Sequence, residues 1–175
     1  MRRRIFTGLA VCAVVALVAF VFFFIKNKSH DDLLEGERLA PNFNFPDASG
    51  SPIILDEIHA RVRVINFWAS WSPYSKDELP ALVALKHEFG DDIAIVALSR
   101  DTNPTNGRAF LASLGLGPEL LFAYDRGDTY FKQVGGFNMP ETIFVGERGE
   151  VLAQVHGPMS LDEMRAQVKR ILDGN

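Results

Sequence analysis

Apolar and polar positions divide the chain into one long uncharged run and a series of short alternating segments. The long run is Ile5 to Ile25, preceded by Arg2-Arg3-Arg4 and followed by Lys26 and Lys28. At ~1.5 Å per residue a helix over this run covers the roughly 30 Å hydrocarbon core of a bilayer. A cleaved signal peptide has a shorter apolar region and a small-x-small cleavage site, whereas this run ends Phe22-Phe23-Phe24-Ile25. The pattern therefore predicts an uncleaved anchor over residues 1–28. Positive charge is heavier on its N-terminal side, which places the N-terminus in the cytoplasm and the remainder outside.

Ser29 to Ala40 is short and polar, and reads as a linker. From Pro41 onward the segments alternate. Asn42 to Phe45 and Ile53 to Leu55, separated by Pro46-Asp47-Ala48-Ser49-Gly50-Ser51, predict a small hairpin. Val62 to Phe67 predicts a core strand, and Pro73 to Phe89 a helix with Leu79, Leu82, Val83, Leu85 and Phe89 near one face. Pro80 inside that helix predicts a kink, since it removes one hydrogen bond.

Ile93 to Leu98 is apolar on both faces, as in a central parallel strand. Thr105 to Leu114 predicts a second helix ended by Gly115. Leu120 to Tyr124 predicts a strand, and Asp128 a cap on a short helix reaching Gln133. Thr142 to Val145 and Val151 to Val155 flank Gly146-Glu147-Arg148-Gly149 as a hairpin. Ser160 and Glu163 form a capping box for a last helix whose Leu161, Met164, Val168 and Ile171 point inward. This alternation predicts an α/β domain over 41–175, with a mostly parallel sheet flanked by helices and finished by an antiparallel hairpin.

Charge and cysteine content narrow the chemistry. The chain carries −4, and residues 1–28 hold five Lys/Arg and no Asp/Glu, so residues 29–175 carry −9. An acidic domain without a basic stripe argues against nucleic acid as a partner. The only cysteine, Cys12, lies in the apolar run, where it reads as a small hydrophobe; Val11 before it and the uncharged residues after it argue against a lipidated N-terminus. The domain thus has no disulfide framework, no thiolate nucleophile and no cysteine metal site. His30, His59, His87 and His156 are scattered, so no metal site and no cofactor is expected.

The segment Trp68-Ala69-Ser70-Trp71-Ser72-Pro73-Tyr74-Ser75-Lys76-Asp77-Glu78-Leu79-Pro80 joins the first core strand to the first helix. Strand-to-helix turns are where α/β folds place chemistry, because a helix N-terminus offers unpaired N–H groups and a positive dipole end. Together with Ile65-Asn66-Phe67 before it and Asn138-Met139-Pro140-Glu141-Thr142-Ile143-Phe144-Val145 later, this segment resembles the thioredoxin fold, in its membrane-anchored TlpA/ResA/CcmG-type branch. The resemblance covers about Pro41 to the C-terminus.

The resemblance implies a three-layer α/β/α fold with a mixed sheet, and a disulfide reductase acting on extracytoplasmic proteins. Matched position by position, Ser72 stands at the attacking cysteine and Ser75 at the resolving one, with Pro73 and Tyr74 between. Pro140 matches a cis proline, Met139 the residue whose backbone pairs with an extended substrate, and Glu78 an acidic residue that tunes proton movement. Both sulfurs are absent, and a serine hydroxyl cannot take part in thiol–disulfide exchange.

Ser72 and Ser75 then have two readings: helix-start residues bonding nearby N–H groups, or part of a recognition groove. A serine nucleophile lacks an adjacent base and a G-x-S-x-G elbow. Without thiols, Glu78 reads as a partly exposed helix carboxylate; Trp68 is expected in the core and Trp71 exposed. The expected function is a tethered module binding extracytoplasmic proteins or peptides in extended conformation. The alternative is a working oxidoreductase whose cysteines have been replaced by serine.

Overall fold

The computed structural model describes residues 40–47, 49–116 and 119–174. The chain divides into two units, Met1–Leu33 and Leu34–Asn175, and the described residues all belong to the second. The run from Ile5 to Ile25 lies outside them; among the described residues no helix is long and apolar enough to cross a membrane.

Two short strands, β1 (Asn44–Pro46) and β2 (Pro52–Ile54), form an antiparallel hairpin. Its turn is tied by Asp47, whose Oδ1 accepts the N–H groups of Ser49 and Ser51 at 2.7 and 2.9 Å. β1 starts two residues later and ends one residue later than expected, and β2 lies one residue earlier: Pro46 pairs with Pro52, and Leu55 opens a 3₁₀ turn.

The main sheet contains β3 (Val62–Trp68), β4 (Ile93–Ser99), β5 (Leu121–Tyr124), β6 (Glu141–Gly146) and β7 (Val151–His156), in the order β5-β4-β3-β6-β7. β3 is parallel to β4 and β4 to β5, while β6 is antiparallel to both β3 and β7. The sheet is therefore evenly mixed, not mostly parallel, because β6 re-enters beside β3 from the opposite direction.

Four α-helices accompany it among the described residues: α1 (Ser75–Phe89), α2 (Pro104–Ser113), α3 (Thr129–Gln133) and α4 (Leu161–Asp173). Alternation along the strands sends side chains into two cores. Val62, Val64 and Trp68 of β3 meet Leu79, Leu82 and Leu85 of α1 and Met164, Val168 and Ile171 of α4, with Phe110 and Leu111 of α2 packed alongside. Ile65 and Phe67 meet Phe43, Leu55, Tyr130, Phe131 and Val134 on the other face, so the hairpin and α3 close that side. At about 1.5–3 kcal/mol for each large apolar side chain fully buried, these two cores are the fold's main source of stability.

Helix ends follow local chemistry. Asn103 accepts the Thr105 N–H at 3.0 Å, with Pro104 as the first helical residue, and α4 has the expected Ser160/Glu163 capping box. α1 starts at Ser75, two residues later than expected, and runs through Pro80, which is exposed on its solvent side. The expected Asp128 cap is not made: Asp128 has a left-handed backbone (φ 58°) and no capping bond. Its carboxylate instead accepts from Arg100 Nε and Nη2 at 2.8 and 2.9 Å. Asp125 takes the capping role, accepting the N–H groups of Tyr130 and Phe131 at 3.0 and 2.8 Å.

Candidate functional site

The site is built where β3 ends and β6 begins. The pairing of Phe67 with Glu141, and of Glu141 with His156 of β7, places three loops at one end of the sheet. These are Ala69–Tyr74 before α1, the loop ending at Met139-Pro140, and Gly157–Ser160 after β7.

The first loop is fastened from below. Trp68 is fully buried, its ring stacked on Phe110 with centroids 6.0 Å apart, and its carbonyl accepts the Arg100 N–H at 2.9 Å. Buried Asp101 accepts Ser70 N–H at 3.0 Å, Ser70 Oγ at 2.7 Å and Ser99 Oγ at 3.0 Å. Above this anchor the chain turns outward: Trp71 is 61 % exposed and Tyr74 48 %. Trp68 in the core and Trp71 in solvent match the sequence expectation.

Ser75 is the first residue of α1 and Ser72 lies three residues before it, and both are buried. Ser75 Oγ accepts the Ala69 N–H at 3.3 Å, which ties the helix start back to β3. Ser72 Oγ has no hydrogen-bond partner among the described residues, although the Ser72 carbonyl accepts the Ser75 N–H at 3.3 Å. The helix-start reading thus fits Ser75, while Ser72 makes no such bond; the residue preceding the helix, Tyr74, provides no side-chain cap.

Glu78 departs from the sequence reading. It is 2 % exposed, not a partly exposed helix carboxylate. The reason is periodicity: Glu78, Leu82 and Leu85 lie along one stripe of α1, and that stripe faces the sheet. Its Oε2 accepts Asn66 Nδ2 at 3.1 Å and its Oε1 the Met159 N–H at 3.0 Å. Burial pushes its pKa up to about 7, against the opposing effect of the Met159 and Asn66 hydrogen bonds. Asn66 Nδ2 also donates to Thr142 Oγ1 at 3.0 Å, so one side chain on β3 links α1 to β6. Beside Glu78 a groove of about 320 Å³ runs between α1 and the start of α4, lined by Tyr74, Asp77, Ala81, Pro158, Met159, Ser160 and Leu161.

The Met139–Pro140 peptide bond is cis, and the Pro140 carbonyl accepts the Gly157 N–H at 2.9 Å. Met139 is half-buried, and its N–H donates to Asn138 Oδ1 at 2.9 Å. Phe137, on the same loop, is 65 % exposed.

The expected site residues Trp71, Ser72, Pro73, Tyr74, Ser75 and Glu78 therefore share one loop and helix turn, and Met139 and Pro140 lie on the neighbouring loop. Sequence reasoning missed Asp101, Glu141, His156 and Phe137. Asp101, two residues past β4, and Glu141, the first residue of β6, carried a signal as acidic residues at the ends of apolar strands. Phe137 and His156 carried none without the register that joins them. Among the described residues no three His, Cys, Asp or Glu side chains converge in a metal-binding arrangement.

Comparison with known proteins gives this geometry a family. The AhpC/TSA family pattern matches residues 37–154. Over 169 residues the chain is 23 % identical to the thiol-disulfide oxidoreductase ResA of Bacillus thuringiensis subsp. konkukian, covering 96 % of this chain and 94 % of that protein. It is 30 % identical over 114 residues to the thiol:disulfide interchange protein HelX of Rhodobacter capsulatus, covering 65 % of this chain and 62 % of HelX. Among solved structures, one from Chlorobium tepidum assigned as a thiol:disulfide interchange protein DsbE superposes with a TM-score of 0.72 at 24 % identity. The match covers 79 % of this chain and 99 % of that one. StoA of Bacillus subtilis superposes with a TM-score of 0.63 at 19 % identity, over 75 % and 98 % of the two chains. These two likenesses establish the thioredoxin-like fold. The relatives it matches are named as thiol-disulfide oxidoreductases and thiol:disulfide interchange proteins, and the chain itself belongs to the AhpC/TSA family.

Proposed function

We propose that this chain is a membrane-tethered, extracytoplasmic thioredoxin-like protein that binds extended segments of partner proteins and performs no dithiol exchange. The observation that carries the reading is the pair Ser72 and Ser75, buried at the start of α1 in a family whose named relatives exchange thiols and disulfides. Exchange proceeds by thiolate attack on a disulfide sulfur through a mixed disulfide. A serine hydroxyl stays protonated near neutral pH and forms no stable bridge to sulfur. The only sulfhydryl in the sequence is that of Cys12, within the uncharged run.

What remains is a docking face. Trp71 and Tyr74 expose aromatic surface beside Pro73, and aromatic groups are the residues that most often anchor interfaces. At Met139, whose N–H is held only by the exposed side chain of its neighbour Asn138, an extended peptide can add as a strand by displacing that contact. Binding of this kind needs no cofactor and no metal. The run from Ile5 to Ile25 supplies the tether, and its flanking charges place the domain outside the cytoplasm.

The test is a titration of the full chain in detergent with an unfolded polypeptide that lacks tryptophan, followed by the intrinsic fluorescence of Trp68 and Trp71. Saturable binding that is weakened by Trp71→Phe in a calorimetric repeat supports the reading; no binding at any accessible concentration contradicts it.

The relatives' names favour a second reading, in which the native protein is a working oxidoreductase with cysteine at 72 and 75. Serine codons at both positions in the source genome would end it.

A further inference from the structure

Two buried carboxylates at the site end of the sheet are matched differently. Glu141, fully buried, accepts from the Phe137 N–H at 3.2 Å and from Gln154 Nε2. His156 Nδ1 lies 3.2 Å from its Oε1, and the imidazole and the Phe137 ring have centroids 4.1 Å apart. A basic ring thus stands beside Glu141. Glu78 is matched only by neutral donors, Asn66 Nδ2 and the Met159 N–H. Among the described residues no basic side chain lines the groove next to it.

The groups around Glu78 come from every side. On α1, Tyr74 and Asp77 face the groove, and the opposite wall is uncharged from Pro158 to Leu161. β3 and β6 bring the neutral Asn66 and Thr142. Glu163 of α4 is turned back onto Ser160, whose N–H and hydroxyl it accepts at 2.8 and 2.7 Å. Every charged neighbour is therefore acidic, and an ionised Glu78 can be compensated only by solvent, since a buried charge needs a partner or water.

The groove brings solvent close, and its outer wall starts at a joint. Gly157, with φ 114°, takes a conformation that suits glycine alone, and its N–H is held by the Pro140 carbonyl at 2.9 Å. Two residues on, Met159 is held to α1 by Glu78. Asn66 serves both charge states of that carboxyl. Its Oδ1 is buried without a partner among the described residues. A half-turn of the amide brings this oxygen to the proton of a neutral Glu78, while Nδ2 donates to an ionised one.

We infer that Glu78 is a proton-sensitive latch of the groove: its neutral carboxyl keeps the Gly157–Ser160 segment against α1, and ionisation releases the Met159 N–H and admits water. The proton passes to solvent through the opened groove. Burial raises the Glu78 pKa from 4.5 to about 7 in the closed form. Opening therefore grows as pH rises from the lower value and levels off above the upper one. The latch is independent of what the docking face binds.

The test is amide hydrogen exchange of the full chain in detergent, read by NMR at Met159 and, as a core reference, at Ile65, between pH 5 and pH 8 and in low urea. Met159 is expected to be less protected than Ile65 and to lose roughly 50-fold in protection across that range. Its exchange is expected to be insensitive to urea, because a local opening exposes little surface. Glu78→Gln keeps an acceptor for the Met159 N–H and has no proton to lose, so its Met159 protection stays constant with pH. Asp77→Asn removes the other groove carboxylate and keeps the fall.

Equal protection of Met159 and Ile65 with the same urea dependence would mean global unfolding and overturns the inference in wild type alone. A fall that survives in Glu78→Gln, or that vanishes in Asp77→Asn, overturns it as well.

Discussion

Met159 donates its backbone N–H to Glu78 Oε1 at 3.0 Å, fastening a carboxylate on the active-end helix to the loop between β7 and α4. The contact spans 81 positions of sequence and lies in a buried setting. It makes Glu78 both a structural tie and a titrating group.

The pH dependence follows from that burial. The Glu78 pKa is raised from its ordinary value of 4.5 to about 7, so between these two values the folded state holds a proton that the unfolded state releases. Its contribution is fully present below about pH 4.5 and is lost as pH rises through about 7. At ~1.4 kcal/mol per pKa unit the loss is about 3 kcal/mol. Urea denaturation at pH 5 and pH 8 is expected to show this fall in wild type and a much smaller one in Glu78→Gln. Equal slopes in the two proteins would contradict it.

Asp101 holds the loop that carries Trp71. Asp101→Ala leaves the Ser70 N–H and the Ser70 and Ser99 hydroxyls without their acceptor, and an unmatched buried donor costs about 1–3 kcal/mol. A midpoint drop in urea of that size is expected, together with faster hydrogen exchange at Ser70.

At Gly136 a side chain has no room. An added Cβ would lie 2.5 Å from Cε2 of Phe131, a buried ring that Arg100 covers at 3.6 Å. Gly136→Ala is expected to destabilise by roughly 1–3 kcal/mol, as overpacking does, measured by thermal melting. It should also displace the Phe137 loop and weaken peptide binding.

The two aspartates beside α3 separate a sequence expectation from the observed fold. Asp125→Ala removes the acceptor for two helix N–H groups and is expected to cost about 2 kcal/mol, the upper range for a cap. Asp128→Ala keeps that cap and loses a partly exposed ion pair with Arg100, for which about 1 kcal/mol or less is expected. Denaturation of the two single variants ranks them.

Strands and helices of the domain were legible because their apolar periods are clean: Val62 to Phe67, Ile93 to Leu98 and the α4 stripe all lie where the pattern put them. Trp71, Ser72, Ser75 and Pro140 came into view through the family resemblance of the two segments that carry them. Glu78 was misjudged because a carboxylate reads as exposed until Asn66 and Met159, neither near it in sequence, are seen to match its oxygens. Asp128 was misjudged for a related reason. It directly precedes α3, but its left-handed backbone leaves it without a capping bond, and Asp125 holds the N–H groups instead. Phe137 and His156 meet only through the β6–β7 pairing and the loop before it, which no local pattern records.

The central claim is that the frame is intact and only the sulfurs are missing, and reduction of a model disulfide by wild type and by Ser72→Cys/Ser75→Cys tests it most directly. With dithiothreitol as electron source and Cys12 present in both proteins, wild type is expected to match the uncatalysed rate and the double variant to exceed it clearly. Catalysis by wild type, or a folded double variant with no activity, would contradict the claim.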